Sequence, residues 1–403
     1  MKILIITQYF WPESFRINDL ALGLKERGNE VQVLTGKPNY PSGDFYPGYN
    51  FFKKSEEDWQ GIRIHRSPLI TRGSGSGIKL MINYLSFAFL ASFRGIFLKE
   101  KYDLIFVYEP SPITVGIPAV FIGKRLNIPI YFWVQDLWPE SVSAAGQLNN
   151  RFILRQLDKV TKWIYHNSKK VLIQSEGFRE YILNQGVAND KIIYYPNSTE
   201  SFYNIVPPNN EIEKLIPKVP FCVMFAGNIG EAQDFENIIE AAKIIKERNS
   251  DIHFVILGNG RKKEFVIQKI KEYDLISNFH LLGAYPVNNM PDFFASSDAL
   301  LVSLKKSKIF SLTIPSKVQS YLACGKPIIG ALDGEGANVI LNAKAGLVAT
   351  AGDSKSLADI ILQLYSLSPQ ERSEMGFNAR EYFNENFERE LLLDKLIQIF
   401  EEK

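Results

Sequence analysis

Cysteine is nearly absent from this chain. Its 403 residues include two, Cys222 and Cys324. Both sit in apolar runs, which excludes a disulfide framework and fits reduced core thiols of a cytosolic protein. Histidine is almost as scarce. His65, His166, His253 and His280 stand without ligand spacing, so no zinc site is expected. No Asp-x-Asp pair is present to hold a nucleotide-bound divalent metal, and no G-x-S-x-G elbow points to a hydrolase. The apolar run over residues 1–7 is too short, and lacks the basic flank, for a signal peptide. Net charge is only +2, and nucleic acid is not an expected partner.

What is present is a strand–loop–helix pattern that occurs twice. Residues 1–7 read as a buried strand, followed by a polar, Pro-containing loop. Ile17, Leu20, Ala21 and Leu24 then fall on one helical face, Gly28 ends the helix, and residues 31–35 form the next strand. The pattern restarts with a strand over 221–226, a loop over 227–233, a helix over 234–248 and a strand over 252–257. Each half therefore begins a parallel, helix-covered sheet, and such sheets bind ligands at the carboxyl ends of their strands. Two sheets facing each other would leave a cleft for two substrates.

Length suits two domains, and 46% hydrophobic residues are enough to fill both. Further strands are expected at 62–66, 103–108, 130–134, 171–174, 192–195, 279–282, 299–303, 327–330 and 346–348. The proline-rich tract 196–220 reads as the hinge. The expected domains are 1–200, 201–380 and a C-terminal helical segment, 381–403, that ends in an amphipathic helix. Charge is uneven. Residues 1–200 hold 24 Lys/Arg against 18 Asp/Glu, and the remainder 22 against 26. A basic first half suits an anionic partner, either a membrane surface or a phosphorylated substrate, and equally suits chance asymmetry on a solvated surface. Residues 78–98 are strongly apolar but contain Lys79, Asn83 and Arg94, which argues against a spanning helix. A buried core helix is expected there, with an interfacial helix as the alternative. Residues 151–170 form a basic amphipathic helix suited to anionic lipid or to a solvated face.

The sharpest constellation is Pro315-Ser316-Lys317-Val318-Gln319-Ser320 through Gly325-Lys326-Pro327. Ser316 with Gln319 reads as a capping box, and Gly325 with Pro327 ends the helix. Free N–H groups at its start, together with Lys317, suit a diphosphate. The same pattern also suits a plain capped helix with a surface lysine. Gly227-Asn228-Ile229-Gly230 and Gly258-Asn259-Gly260-Arg261-Lys262 follow strands in the same half and let a phosphate or ribose approach. In the first half, Asp136 and Glu140 leave an apolar strand among Trp133, Trp138 and Pro139. Such a carboxylate suits a general base or a partner for a sugar hydroxyl, or a helix-start Asp beside core tryptophans. Glu109 and Glu13 leave strands toward the same edge.

Thr35-Gly36-Lys37-Pro38-Asn39-Tyr40-Pro41-Ser42-Gly43, Asp136-Leu137-Trp138-Pro139-Glu140-Ser141 and the 315–327 motif resemble the family 4 retaining glycosyltransferases. The similarity is greatest to a branch of L-fucosaminyltransferases of bacterial O-antigen and capsule assembly. The resemblance implies an α/β GT-B fold, two Rossmann-like doubly wound domains facing across a cleft, with acceptor on the first and nucleotide sugar on the second. It also implies a metal-independent, cofactor-free, front-face displacement in which a leaving phosphate oxygen takes the acceptor proton. The family's two glutamates fall on Leu312 and Ser320, and its phosphate-binding Arg and Lys fall on Asn228 and Gln233. Gln135 stands where histidine is common. A Gly-Gly pair of the first loop is replaced near Glu13-Ser14, with Arg16 following.

The expected function is transfer of an N-acetylated deoxyhexosamine such as L-FucNAc from a UDP-sugar to a lipid-diphosphate-linked saccharide. The enzyme would work on the cytoplasmic face of the plasma membrane, bound to its anionic surface. Asp136 and Lys317 are the expected catalytic residues. Asn228, Gly230, Gly258, Gly260, Arg261, Ser316, Lys317 and Ser320 are expected on the donor. Glu13, Arg16, Glu109 and Glu140 are expected on the acceptor side. The rivals are a nucleotide-sugar 2-epimerase of the same architecture and a non-catalytic glycan-binding subunit.

Overall fold

The computed structural model describes residues 1–73, 77–141, 150–249 and 251–402. They form two compact units, Met1–Pro196 with Leu392–Lys403, and Asn197–Leu391.

Unit 1 is built on eight strands: β1 (Lys2–Ile6), β2 (Glu30–Gly36), β3 (Glu56–Trp59), β4 (Ile62–Ser67), β5 (Leu104–Glu109), β6 (Ile130–Val134), β7 (Lys170–Ile173) and β8 (Ile192–Tyr194). Their order is β3-β4-β2-β1-β5-β6-β7-β8. All neighbours are parallel except β3 and β4. Continuous apolar runs such as β6, buried at every position, are what a parallel sheet covered on both faces requires. Strand β3 has no such signal. Its Glu-Glu-Asp-Trp is tolerated because it lies at the edge, where charge blunts an open row of N–H and C=O groups, and Arg63 pairs with Glu56 at 2.8 Å across the β3–β4 ladder.

Unit 2 holds β9 (Phe221–Ala226), β10 (Ile252–Leu257), β11 (Phe279–Gly283), β12 (Ala299–Ser303), β13 (Ile328–Ala331) and β14 (Gly346–Ala349). The order is β11-β10-β9-β12-β13-β14, parallel throughout. In each sheet the chain runs outward from one central strand and then restarts on that strand's other side. The loops after β1 and β5, and after β9 and β12, therefore diverge at the carboxyl edge and leave room for a ligand.

Two expectations need correction. A boundary at residue 381 would cut the helix Pro369–Asn386, which begins with a Ser368/Glu371 capping box. Its Ala379 and Phe383, with Phe387 after it, pack into the unit 2 core. Only from Leu392 does the chain join unit 1, where Leu393, Leu396, Ile399 and Phe400 of the helix Arg389–Glu401 pack on Ile3, Ile5 and Phe106. The helix Gly77–Gly95 is also not a wholly buried core helix. Leu80, Phe87 and Ala91 are buried, but Ile78, Ile82, Leu85, Phe89 and Phe93 are exposed. Among the described residues no helix is long and apolar enough to cross a membrane.

The C-terminal helix completes the unit 1 core. Phe400 stacks edge-on to Tyr131 at 4.9 Å and to Phe106 at 5.6 Å. Replacing it with alanine should cost about 3 kcal/mol or more through lost burial and the cavity left behind. The chain's five tryptophans are Trp11, Trp59, Trp133, Trp138 and Trp163, all in unit 1, so urea unfolding followed by their fluorescence reads this loss. An unchanged midpoint would mean that the helix is dispensable to the core.

Candidate active site

In unit 2 three loops meet at the carboxyl edge. Gly227 and Gly258 both adopt positive φ, +144° and +140°. A Cβ on Gly258 would lie 1.8 Å from the Gly227 carbonyl oxygen, so only glycine allows the two backbones to approach so closely. Ile229 N donates to Asn259 O at 2.9 Å, and Lys262 N to Ile229 O at 3.0 Å. The Asn228 carboxamide fills the space beside Gly230 and Gly260, 2.4 and 2.6 Å from where their Cβ atoms would stand.

The third loop leads into the helix Ser316–Ala323. The Lys317 ammonium lies 4.2 Å from the centre of the Phe225 ring. The side chain crosses Gly227, where a Cβ would stand 2.4 Å from Lys317 Cε. No carboxylate pairs with it among the described residues. Burial lowers its pKa to about 8, because a desolvated ammonium without a counter-charge is less stable than in water. A lysine held in this way beside glycine loops and a helix N-terminus is arranged to receive an anion.

Other expected donor residues are placed differently. The capping box does not form. Pro315 occupies the cap position without a side-chain bond, Ser316 is exposed, and Gln319 turns inward to donate to Asn197 O at 2.9 Å. Ser320 Oγ lies 3.2 Å from Thr199 Oγ1, which donates to Glu200. That places a carboxylate one hydroxyl away from Ser320. Leu312 lies in the turn that precedes this helix. Arg261 is exposed on its loop, while Lys262 pairs with Glu231 at 2.6 Å. Glu231 also binds Lys305, and the two lysines hold its carboxyl down at about 2. Lys305 and Glu231 were not foreseen. The polar turn after the apolar run 299–303 was the available signal.

In unit 1 the carboxylates gather where the chain leaves β1, β5 and β6. Glu13 is 1% exposed. Its Oε1 accepts from the N–H groups of Asn39 and Tyr40 at 2.8 and 2.7 Å, so it also anchors the 37–40 loop. Its Oε2 has no partner among the described residues, and burial raises its pKa to about 7. Glu109, fully buried at the end of β5, accepts from Asp136 N at 3.5 Å through Oε2. Its Oε1 is unpartnered among the described residues. Burial, then the neighbouring Asp136 charge, pushes Glu109 well above the carboxylate range. Burial brings Asp136 to about 6.

Tyr84 connects this group. Burial raises its pKa, and Arg72, Ser111, Tyr9 and Asp136 all act on it more weakly. Ser111 itself has φ +126°, a region L residues rarely adopt. Tyr9 stacks on Phe15 at 5.1 Å, and the Arg72 guanidinium lies 4.9 Å over Tyr40. Tyr84 and Arg72 were missed, because a tyrosine inside an apolar helix carries no local signal. Glu140 is committed elsewhere, accepting from the Tyr181 hydroxyl, whose oxygen also lies 2.8 Å from Trp138 O. Arg16 opens the helix Arg16–Glu26 after Phe15.

The glycosyl transferase 4-like domain model matches residues 14–198, and the glycosyl transferases group 1 model matches 208–382. The chain belongs to the group 1 glycosyltransferases. It is 24% identical to WcaI of Escherichia coli K12, named as a glycosyl transferase of colanic acid biosynthesis, over 81% of this chain and 82% of that one. It is 23% identical to the N-acetyl-alpha-D-glucosaminyl L-malate synthase of Bacillus anthracis, over 95% and 91%. Among solved structures, sucrose-phosphate synthase from Thermosynechococcus elongatus superposes with a TM-score of 0.74 at 16% identity, covering 99% of this chain and 98% of that one. HepE from Anabaena in complex with UDP gives 0.72 at 14%, covering 99% of each. This glycosyltransferase therefore has the GT-B fold.

The raised pKa of Glu13 has a stability consequence. Between about pH 4.5 and 7 the folded state keeps a proton that the unfolded chain has lost, so stability falls as pH rises through that window. Glu13→Gln keeps an oxygen for Asn39 and Tyr40 but does not ionise. Its thermal stability relative to wild type should climb across the window by the equivalent of about 1–3 kcal/mol and level off above it. A difference independent of pH would show that Glu13 titrates in the folded protein as it does in the unfolded chain.

Proposed function

We propose that this glycosyltransferase moves a sugar, an N-acetylated deoxyhexosamine such as L-FucNAc, from UDP to a lipid-diphosphate-linked saccharide. The Lys317 ammonium over Gly227 and Phe225, unpaired among the described residues, carries the reading. A diphosphate leaving group gains charge as its bond to the sugar breaks. A cation already partly desolvated gains more from that charge than a fully solvated one would, and needs less reorganisation. Amide N–H groups at the start of the 316–323 helix add to it. UDP as carrier is supported by the likeness to HepE, whose structure holds UDP. A place in polysaccharide assembly is supported by the likeness to WcaI, named for colanic acid biosynthesis, and to the amylovoran biosynthesis glycosyltransferase AmsK of Erwinia amylovora, 22% identical over 56% of this chain and 54% of that one.

On the acceptor side Asp136 orients the attacking hydroxyl, and its raised pKa lets it exchange a proton near neutrality. Glu109 beneath it stays protonated, so that Asp136 alone carries charge in that pair. No divalent metal is required, since Lys317 and the helix start meet the leaving charge. The enzyme works at an anionic membrane surface.

Lys317→Ala should lower kcat/KM by roughly 10²-fold or more, the loss typical of one preorganised donor. UDP affinity of the wild type, titrated calorimetrically in EDTA, should fall as pH rises through about 8, because the free lysine then gives up its charge. Lys317→Arg should bind with no such fall. Near-normal turnover in Lys317→Ala would remove this residue from the site.

Asp136→Asn should bind UDP as the wild type does and lose transfer by about 10²–10⁴-fold. Single-turnover rate and melting temperature measured on one sample decide the matter. An unchanged rate with a lowered melting temperature would make Asp136 a structural residue.

A further inference from the structure

The helix Gly77–Gly95 carries a second apolar face that no described residue of unit 1 covers. Ile78, Ile82, Leu85, Phe89 and Phe93 recur every three or four residues, and Ile96 and Phe97 extend the row past the helix end. All are exposed, Ile78 by 78% and Phe89 by 73%. Such spacing makes one continuous stripe. The helix Gly116–Leu126 lies alongside. A Cβ on Gly95 would stand 2.4 Å from Ile122 Cγ1, so the two helices approach closely there and open into a groove of about 690 Å³. Leu85, Phe89, Phe93, Ile117 and Phe121 line it, and Phe121 is 56% exposed. An apolar surface of this extent marks an interaction site.

Charge indicates what covers it. Neither helix contains an acidic residue, while Lys79 and Lys124 lie on them; Arg94 is held by Ser55 O and Glu56, and Arg125 by Ile96 O and Leu98 O. The basic helix Arg151–His166 joins the same side. Trp163 lies 5.9 Å from Phe121, and Lys124 sits 5.8 Å over the Trp163 ring. That helix adds Arg151, Arg155, Lys159 and Lys162 against the single Asp158, and Phe152 is 69% exposed. A second copy of the chain would place this cationic face against itself. An anionic lipid surface matches both its apolarity and its charge.

We propose that this face of unit 1 inserts into the interfacial layer of an anionic bilayer. The stripe from Ile78 to Phe97 enters to a depth of about 5–10 Å, the flanking Lys and Arg meet lipid phosphates, and the groove seats a lipid hydrocarbon chain. The inference deepens the reading of a lipid-linked acceptor, and rests on it only for why the enzyme needs the membrane. Its consequence differs from charge adsorption alone, which salt screens within about 8 Å at physiological ionic strength.

The test uses the full chain with vesicles of phosphatidylcholine, with and without phosphatidylglycerol, read by co-sedimentation. Wild type should bind the anionic vesicles and keep part of that binding in high salt. The double variant Phe89→Glu with Phe93→Glu, altered only at exposed side chains, should bind roughly tenfold or more weakly. Its melting temperature and the shift of that temperature on adding UDP should match wild type. Equal vesicle binding by wild type and variant would overturn the proposal, as would complete release of wild type by salt. It would also be overturned if wild type were a dimer that the variant disperses, since a second copy would then occupy the face. Vesicle binding as expected, with no UDP shift in either protein, would sink the UDP-sugar reading and leave this one standing.

Discussion

Parallel strands covered by helices on both faces have no wet side, and that constraint governs where this protein can hold charge. The interior of β5, β6 or β9 accepts apolar side chains only, with Glu109 at the last position of β5 the point where polarity begins. Polar groups with chemistry to perform are displaced to the carboxyl edge. There the chain has just left the sheet, and backbone N–H groups are still unclaimed. The two units obey this rule separately. Each places its polar loops beside the central strand from which its sheet runs both ways.

Desolvation acts at both edges with opposite sign on opposite charges. In unit 1 it raises Glu13, Glu109 and Asp136 toward or beyond neutrality. In unit 2 it lowers Lys317 toward neutrality. One physical cause thus moves carboxyls of one unit and an ammonium of the other away from their usual charge states. Structural ion pairs behave otherwise. The exposed Glu231, bound by Lys262 and Lys305, is driven down rather than up, which sets it apart as a tie between loops.

The surface of unit 1 follows a different logic from its edge. Helices that cover a sheet normally turn their apolar stripe inward and their charges out. The helix Gly77–Gly95 satisfies the core with Leu80, Phe87 and Ala91 and still presents aromatic residues outward. That second stripe adds nothing to the core, so its presence is explained by something other than the fold.

Apolar runs, helical spacing and glycine punctuation determined thirteen of the fourteen strands among the described residues and the loops that carry Asn228, Gly258, Lys317 and Asp136. Burial in a parallel sheet writes itself into contiguous sequence. The edge strand β3 carried no such pattern, because an edge needs no apolar alternation. Short-range pattern also suggested a capping box at Ser316, yet Gln319 is drawn inward by the carbonyl of Asn197, more than a hundred positions away. Whether the 78–98 segment lay inside or outside could not be read from its composition, since both faces of the helix are apolar. Only the tertiary structure decided that Glu109 lies under the Asp136 backbone, that Lys317 lies over Gly227 without a counter-charge among the described residues, and that Glu140 is held by Tyr181. These are encounters between residues remote in sequence, and their energies depend on distance and desolvation, which exist only once the chain has folded.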